Sequence, residues 1–547
     1  MAPPNGATTA RLLFPTLRQP DLHPMQIIPR WFFAPCPILM LLLLLLHMRP
    51  APADAGGGPS ASTTPPLPSP PAAPAKQPLL SRISAFVTEW TPFGLVFSYF
   101  VFSVSIYMVA THKAIGIFWF FYLATNFYIS ASTVVEAFLS LGPVMDSRKA
   151  VTKVQEKDWT FPTPDANLPL IDILIVAYLP NEKDIIMERA LHALTKIVYP
   201  VDRIRINLLY NTPKPIEPLE TQLRELQYKY PQCRVIKVPN STSKADNLNY
   251  FLSFDTGADV IAIYDCDHYP HPYGPRWAAE RFCQDNTVDI VQGRCVVFNT
   301  DECVLASMIA VEFDKIYAVS HPGRALMWDF GLFCGSNGYW RGSLLRDLKM
   351  DGDMLTEDID SALRSISRGA KAVHDLNVVS YELAPTTFKS FWKQRLRWAQ
   401  GWTQASIKHV KLAYNKSPDG TPRRLKVRVG LMQLLAIREV SYYLVTQYTC
   451  MVAGFIITKW PKNPMGLAKL IWFQYPVSVW FFVITVLCLI ATLWITAMVR
   501  SEFVNRRKII MFSFFYPFYL VLNATMGIYG NARQLVNYSN WNPTARS

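Results

Sequence analysis

The chain has 547 residues, 50% of them hydrophobic and only 17% charged, with a formal net charge of +14. Soluble domains average about 25% charged residues, so the deficit excludes an ordinary soluble protein and points to membrane segments. Many cations flank apolar runs (Arg148, Lys149, Arg423, Arg424, Arg500, Arg506, Arg507 and Lys508), the pattern of cytoplasmic flanks beside spans, so the positive balance implies a lipid membrane partner and no nucleic acid.

The nine cysteines include no Cys-x-x-Cys pair, which argues against a zinc site or a disulfide framework and for reduced thiols facing the cytosol.

Residues 1–29 are polar and irregular. An apolar block at 31–46 ends in Leu41 to Leu46; it resembles a signal-peptide core, and a signal anchor or a non-functional tail fits equally. Residues 50–78 are rich in Pro, Ala, Ser and Gly and read as a disordered linker. This first segment is taken as 1–80. Apolar runs at 93–111 and 114–137 predict a transmembrane hairpin, assigned to 81–145, that enters and leaves on one side. Glu136, at the end of the second run, reads as interfacial.

From 146 to 383 the character becomes α/β. Ile171 to Ala177, Ile204 to Tyr210, Arg234 to Val238 and Val260 to Tyr264 predict strands, with helical spacing over 183–198 and 218–229. Strands alternating with helices predict a mostly parallel sheet covered on both faces, with ligands at the carboxyl ends of its strands. Residues 384–427 are basic and aromatic and predict interfacial amphipathic helices. Residues 428–532 predict three or four spans, from runs at 440–458, 466–499 and 509–530, and 533–547 form a tail.

Four stretches carry chemistry. Asp265-Cys266-Asp267-His268 follows a strand end, where two carboxylates can share a hard divalent cation. Thr356-Glu357-Asp358 precedes a helical pattern; it reads first as a helix cap, and also offers a carboxylate base. Lys244, in Ser243 to Asn249, can pair with phosphate. Phe333-Cys334-Gly335-Ser336-Asn337 is a small-residue turn that lets a ligand approach the backbone. Gln394-Arg395-Leu396-Arg397-Trp398 combines guanidinium groups that suit phosphate oxygens with a ring that stacks on a sugar, or forms a basic helix on a membrane surface.

Together and in this order, Asp-x-Asp, Thr-Glu-Asp and Gln-x-x-Arg-Trp resemble the processive family 2 glycosyltransferases, the superfamily of cellulose, chitin and hyaluronan synthases. Val176 to Glu182, the Lys244 segment, the Phe333 turn (as in bacterial cellulose synthases) and Asn540 to Arg546 add to the likeness, which covers about 80–540. The resemblance implies a GT-A type nucleotide-sugar transferase domain inserted between transmembrane helices. It implies that Asp265 and Asp267 bind Mg2+ or Mn2+ with the nucleotide diphosphate, and that Asp358 is the general base. It further implies donor contacts at Tyr178, Glu182, Lys244, Gln394 and Arg397, with Trp398 and Glu357 on the acceptor. The family's acidic residue at the end of the second strand is here Asn211, which keeps a hydrogen-bonding contact without charge.

The implied reaction is inverting transfer from a UDP-sugar to a growing β-linked polysaccharide, extruded past stacking rings such as Trp392, Trp402 and Trp472. UDP-glucose, giving a cellulose synthase-like β-glucan, is the expected donor; a chitin or hyaluronan type synthase using UDP-GlcNAc is the alternative. Outside the enzyme class, a transporter or scaffold with a degenerate transferase domain remains. The expected location is the plasma membrane or the Golgi, with the transferase domain cytosolic and with room for oligomer or accessory subunits.

Overall fold

The computed structural model describes residues 79–472 and 476–537. The 31–46 block, the linker and the Asn540 to Arg546 ending lie outside them.

Two helices, α1 (Leu79–Val109) and α2 (His112–Gln155), form the hairpin. The α2 helix continues well past Glu136, which is 2% exposed and paired with Arg324 at 3.4 Å. The expected interfacial carboxylate is thus a buried one, at the junction of the hairpin with the α/β domain. Gly323 permits this: a Cβ there would lie 1.9 Å from the Glu136 carbonyl oxygen.

The α/β domain carries one eight-stranded sheet, in the order β3-β2-β1-β4-β7-β6-β8-β5. The strands are β1 (Ile171–Tyr178), β2 (Ile204–Asn211), β3 (Cys233–Lys237), β4 (Val260–Asp265), β5 (Tyr269–Pro270), β6 (Ile290–Val297), β7 (Gly338–Arg341) and β8 (Ala372–Glu382). The first four are parallel as expected, β7 runs antiparallel to β4 and β6, and β8 is parallel to β6. The sheet is therefore mixed.

Strand alternation divides β1 between two cores. Ile171, Ile173 and Ile175 enter one, while Leu174 and Val176 enter the other. Each fully buried aliphatic side chain contributes about 1.5–3 kcal/mol. That double burial explains the unbroken apolar run that marked the strand.

Helices α3 (Ile186–Lys196), α4 (Leu219–Lys229), α5 (Lys244–Leu252) and α6 (Gly274–Gln284) connect the early strands. Next come α7 (Val304–Lys315), a π turn at Ile316–Ser320 and α8 (His321–Trp328), then α9 (Gly342–Leu348) and α10 (Glu357–Ser367). The Gln394 to Trp398 stretch lies inside the 22-residue α11 (Phe388–His409). The apolar half comprises α12 (Leu425–Met432), a second π turn at Gln433–Ile437, α13 (Arg438–Thr458), α14 (Pro464–Trp472), α15 (Pro476–Val499) and α16 (Arg506–Leu535). Among the described residues, five helical stretches are long and apolar enough to cross a membrane, two before the α/β domain and three after it.

Candidate active site

Three parallel strands set the site's polar floor. Register pairs Tyr178 with Asn211 and Val176 with Asp265, so the carboxyl ends of β1, β2 and β4 present these residues side by side. The Tyr178 backbone N–H donates to the Glu182 carboxylate at 2.6 Å, tying strand end to the helical turn that follows. Asn211 donates to the Ser241 carbonyl at 3.0 Å and accepts from Asn247 at 2.9 Å.

Lys244 opens α5, whose first turn Ser243 caps through the Asp246 N–H at 3.0 Å. That fixed start aims the Lys244 ammonium at Asp265 (2.6 Å) and at the Gly335 carbonyl (2.6 Å). Gly335 has φ +88°, and a Cβ there would lie 2.9 Å from the Asp358 carboxylate. Only glycine brings the turn this close in that conformation. Ser336 holds the other side, accepting from the Asp265 N–H at 3.1 Å.

Thr356 stands at the start of α10, yet its hydroxyl makes no cap bond and its buried oxygen has no hydrogen-bond partner. The capping expectation fails because Thr356 packs against α11: a Cβ on Gly401 would lie 2.5 Å from its methyl. Burial, then the neighbouring Glu357 carboxylate, push the Asp358 carboxyl up to about 7, against the pull of Lys244 and Arg397. Burial disfavours the Lys244 charge, but Asp265 and Glu357 outweigh it and raise its pKa.

One cavity of about 600 Å³ joins these groups to the helical half. It is lined by Tyr178, Glu182, Asn211, Lys244, Asp265, Glu357, Asp358, Gln394, Arg397 and Trp398, and so gathers nearly every residue singled out from the sequence. Asp267 is buried beside Asp265, and Asp265, Asp267 and His268 each offer a ligand atom within 4.8 Å of the others. The carboxylate oxygens of Asp265 and Asp267 suit a hard divalent cation, while both His268 ring nitrogens are engaged by Ser380 and Glu382. Of the candidate stacking rings, Trp402 lines the cavity, Trp392 packs away from it against Phe388 and Tyr529, and the Trp472 side chain lies outside the described set.

Several lining residues carry no signal in the sequence. Glu312 on α7 holds Arg395, whose guanidinium lies 4.6 Å from the Trp398 ring centre, and accepts from Tyr519 at 2.8 Å. Arg438 lies 4.0 Å from the Trp402 ring centre and pairs with Glu439. His268 meets Glu382 at 3.0 Å; this carboxylate outweighs burial and raises the His268 pKa. Only Arg395 and His268 fell within a stretch already marked, and neither had a role there.

Residues 260–521 match the family model described as Glycosyl transferase family group 2. The chain is 27% identical over 237 residues to a probable glycosyltransferase, YdaM, of Bacillus subtilis, covering 43% of this chain and 55% of that protein. It is 25% identical over 235 residues to glucomannan 4-beta-mannosyltransferase 1 of Oryza sativa, covering 42% and 45%. It is 26% identical over 241 residues to a UDP-forming cellulose synthase catalytic subunit of Xanthomonas axonopodis, covering 43% and 32%. The chain thus spans about half, or less, of the length of these curated relatives. The matched region carries Asp265, Asp358 and Arg397 within one cavity and is similar to family 2 glycosyltransferases.

Proposed function

We propose that the protein is a membrane-embedded processive transferase that moves a sugar from a UDP-sugar, foremost UDP-glucose, to the end of a growing β-linked polysaccharide with inversion. One observation carries this: a single cavity joins Lys244, Asp265, Asp358, Arg397 and Trp398, drawn from over 150 residues of sequence. Asp358 accepts the proton of the acceptor hydroxyl; a pKa raised toward neutrality suits a general base. Lys244 and Arg397 bind the diphosphate and offset the charge that develops as it leaves. Trp398 stacks on the terminal sugar and presents its hydroxyl to Asp358. Asp265 and Asp267 would hold Mg2+ or Mn2+, which supplies Lewis-acid stabilisation of the leaving diphosphate. The transferase domain faces the cytosol, and the polymer leaves between the helices.

A mannosyl donor is the second reading, favoured by similarity to a protein named as a glucomannan mannosyltransferase. Purified protein incubated in turn with labelled UDP-glucose, UDP-GlcNAc and a mannosyl nucleotide separates the cases by the polymer formed. Release of nucleoside diphosphate from none of them overturns the enzyme reading. Asn240-Ser241-Thr242 is a glycosylation sequon by pattern, and a glycan on it overturns the cytosolic orientation.

A further inference from the structure

The Glu136 carboxylate is 2% exposed on α2, at the end of an apolar run, and takes no part in the proposed transfer. A buried charge is costly unless it is paired. Its ion partner is Arg324 of α8.

That contact uses one end of the guanidinium. Arg324 Nε donates to Glu136 at 3.4 Å, and among the described residues the terminal nitrogens have no hydrogen-bond acceptor. The Arg324 side chain is 29% exposed and lines the cavity. A pair that served only to fasten α8 to α2 would gain most from both arms of the fork. The fastening is already made one residue earlier, where Gly323 packs on the Glu136 backbone.

The neighbours of Arg324 keep its charge distinct. His321, one helical turn earlier and so on the same face of α8, also lines the cavity. Its ring centre is 5.1 Å from that of His374, and its nitrogens are 3.9 Å from Cys334 Sγ. Burial, and after it Arg324, pushes the His374 imidazole down to about 3; burial, His374 and Arg324 lower that of His321. Both rings are therefore neutral, and Arg324 carries the charge of this corner.

Cys334 connects the corner to the base. Burial raises the Cys334 thiol pKa first, Asp358 raises it further and Arg324 lowers it, so base and guanidinium act on the same thiol. The next residue, Gly335, approaches the Asp358 carboxylate directly. Lys244, assigned to the diphosphate, is held instead by Asp265 and the Gly335 carbonyl. Arg324 thus stands beyond Cys334 with a fixed anchor and a free pair of N–H donors. Such a planar fork matches two neighbouring hydroxyls of a sugar ring as well as an oxyanion.

We propose that Arg324, oriented by Glu136, binds hydroxyl groups of the acceptor saccharide. Arg324 is the binding residue and Glu136 the residue that positions it, so the N-terminal hairpin takes part in acceptor recognition. This assignment rests on the saccharide acceptor proposed above.

Binding measurements test it without turnover. The full chain in lipid nanodiscs is titrated calorimetrically with UDP in the presence of Mn2+, with cellotetraose and with mannotetraose. The double variant Glu136→Gln/Arg324→Gln removes both charges and leaves neither buried alone. It should bind UDP as the parent does, and bind the tetrasaccharide that the parent accepts about tenfold more weakly. Arg324→Lys keeps the ion pair and loses the fork; it should weaken the same tetrasaccharide and spare UDP, and it decides the matter if the double variant fails to fold. Parent-like tetrasaccharide binding in Arg324→Lys overturns the proposal. So does a loss of UDP affinity alone, which would mark a diphosphate contact. A parent that binds UDP but neither tetrasaccharide overturns the proposed acceptor class together with this assignment.

Discussion

The cavity's two walls hold their charges differently. On the transferase wall, Lys244 closes on Asp265 and on a backbone carbonyl, with Glu357 and Asp358 alongside. These contacts occupy the groups that a diphosphate and its cation would need, so ligands must exchange into them. On the helical wall, Arg395 is closed onto Glu312 and Arg438 onto Glu439, and each guanidinium lies over a tryptophan ring. Those pairs orient rings. Under the proposed function the first wall serves the reaction and the second holds the acceptor, and substitutions on each should separate the two.

The largest effect is expected on the transferase wall. Asp265→Ala should lower transfer by on the order of 10³-fold, the loss of several kcal/mol of leaving-group stabilisation at about 1.4 kcal/mol per tenfold. A chelator should do the same to the parent protein and little more to the variant, as read by initial rates of nucleoside diphosphate release. On the helical wall, Glu312→Gln should raise the acceptor KM about tenfold, because a desolvated cation–π contact of up to about 2 kcal/mol loses its anchor. The donor KM should stay unchanged; an equal rise in both would erase the distinction between the walls. Gly335→Ala should lower kcat about tenfold, since a side chain at φ +88° is strained by about 1–2 kcal/mol and would press on Asp358.

The smallest effect is on pH. A base that titrates near 7 is protonated and idle below that pH, so kcat/KM should rise with pH through neutrality. Glu357 raises that pKa, so Glu357→Gln should move the acid limb to lower pH.

Local words in the sequence announced the transferase wall. A strand ending in Asp-x-Asp, a lysine opening a helix and a glycine in a tight turn are each set by neighbours in the chain. They could be read without knowing the fold. On the helical wall Gln394, Arg397, Trp398 and Trp402 could be read, but not the groups that hold the rings, because those partners are distant: Glu312 and Arg395 are 83 residues apart, and Tyr519 a further 124 beyond Arg395. Thr356 looked like a helix cap because nothing local records the approach of Gly401. The helix start was right, yet the hydroxyl does not cap it. Hydropathy marked the run at 509–530 that lies within α16, and it reports only apolarity.

The account turns on Asp358 acting as the base in a site that binds its donor by other groups. The direct measurement compares Asp358→Asn with the parent protein for nucleoside diphosphate affinity and for single-turnover sugar transfer. The expected result is near-parent affinity with transfer reduced by about 10²–10⁴-fold. Transfer at the parent rate in Asp358→Asn would contradict it.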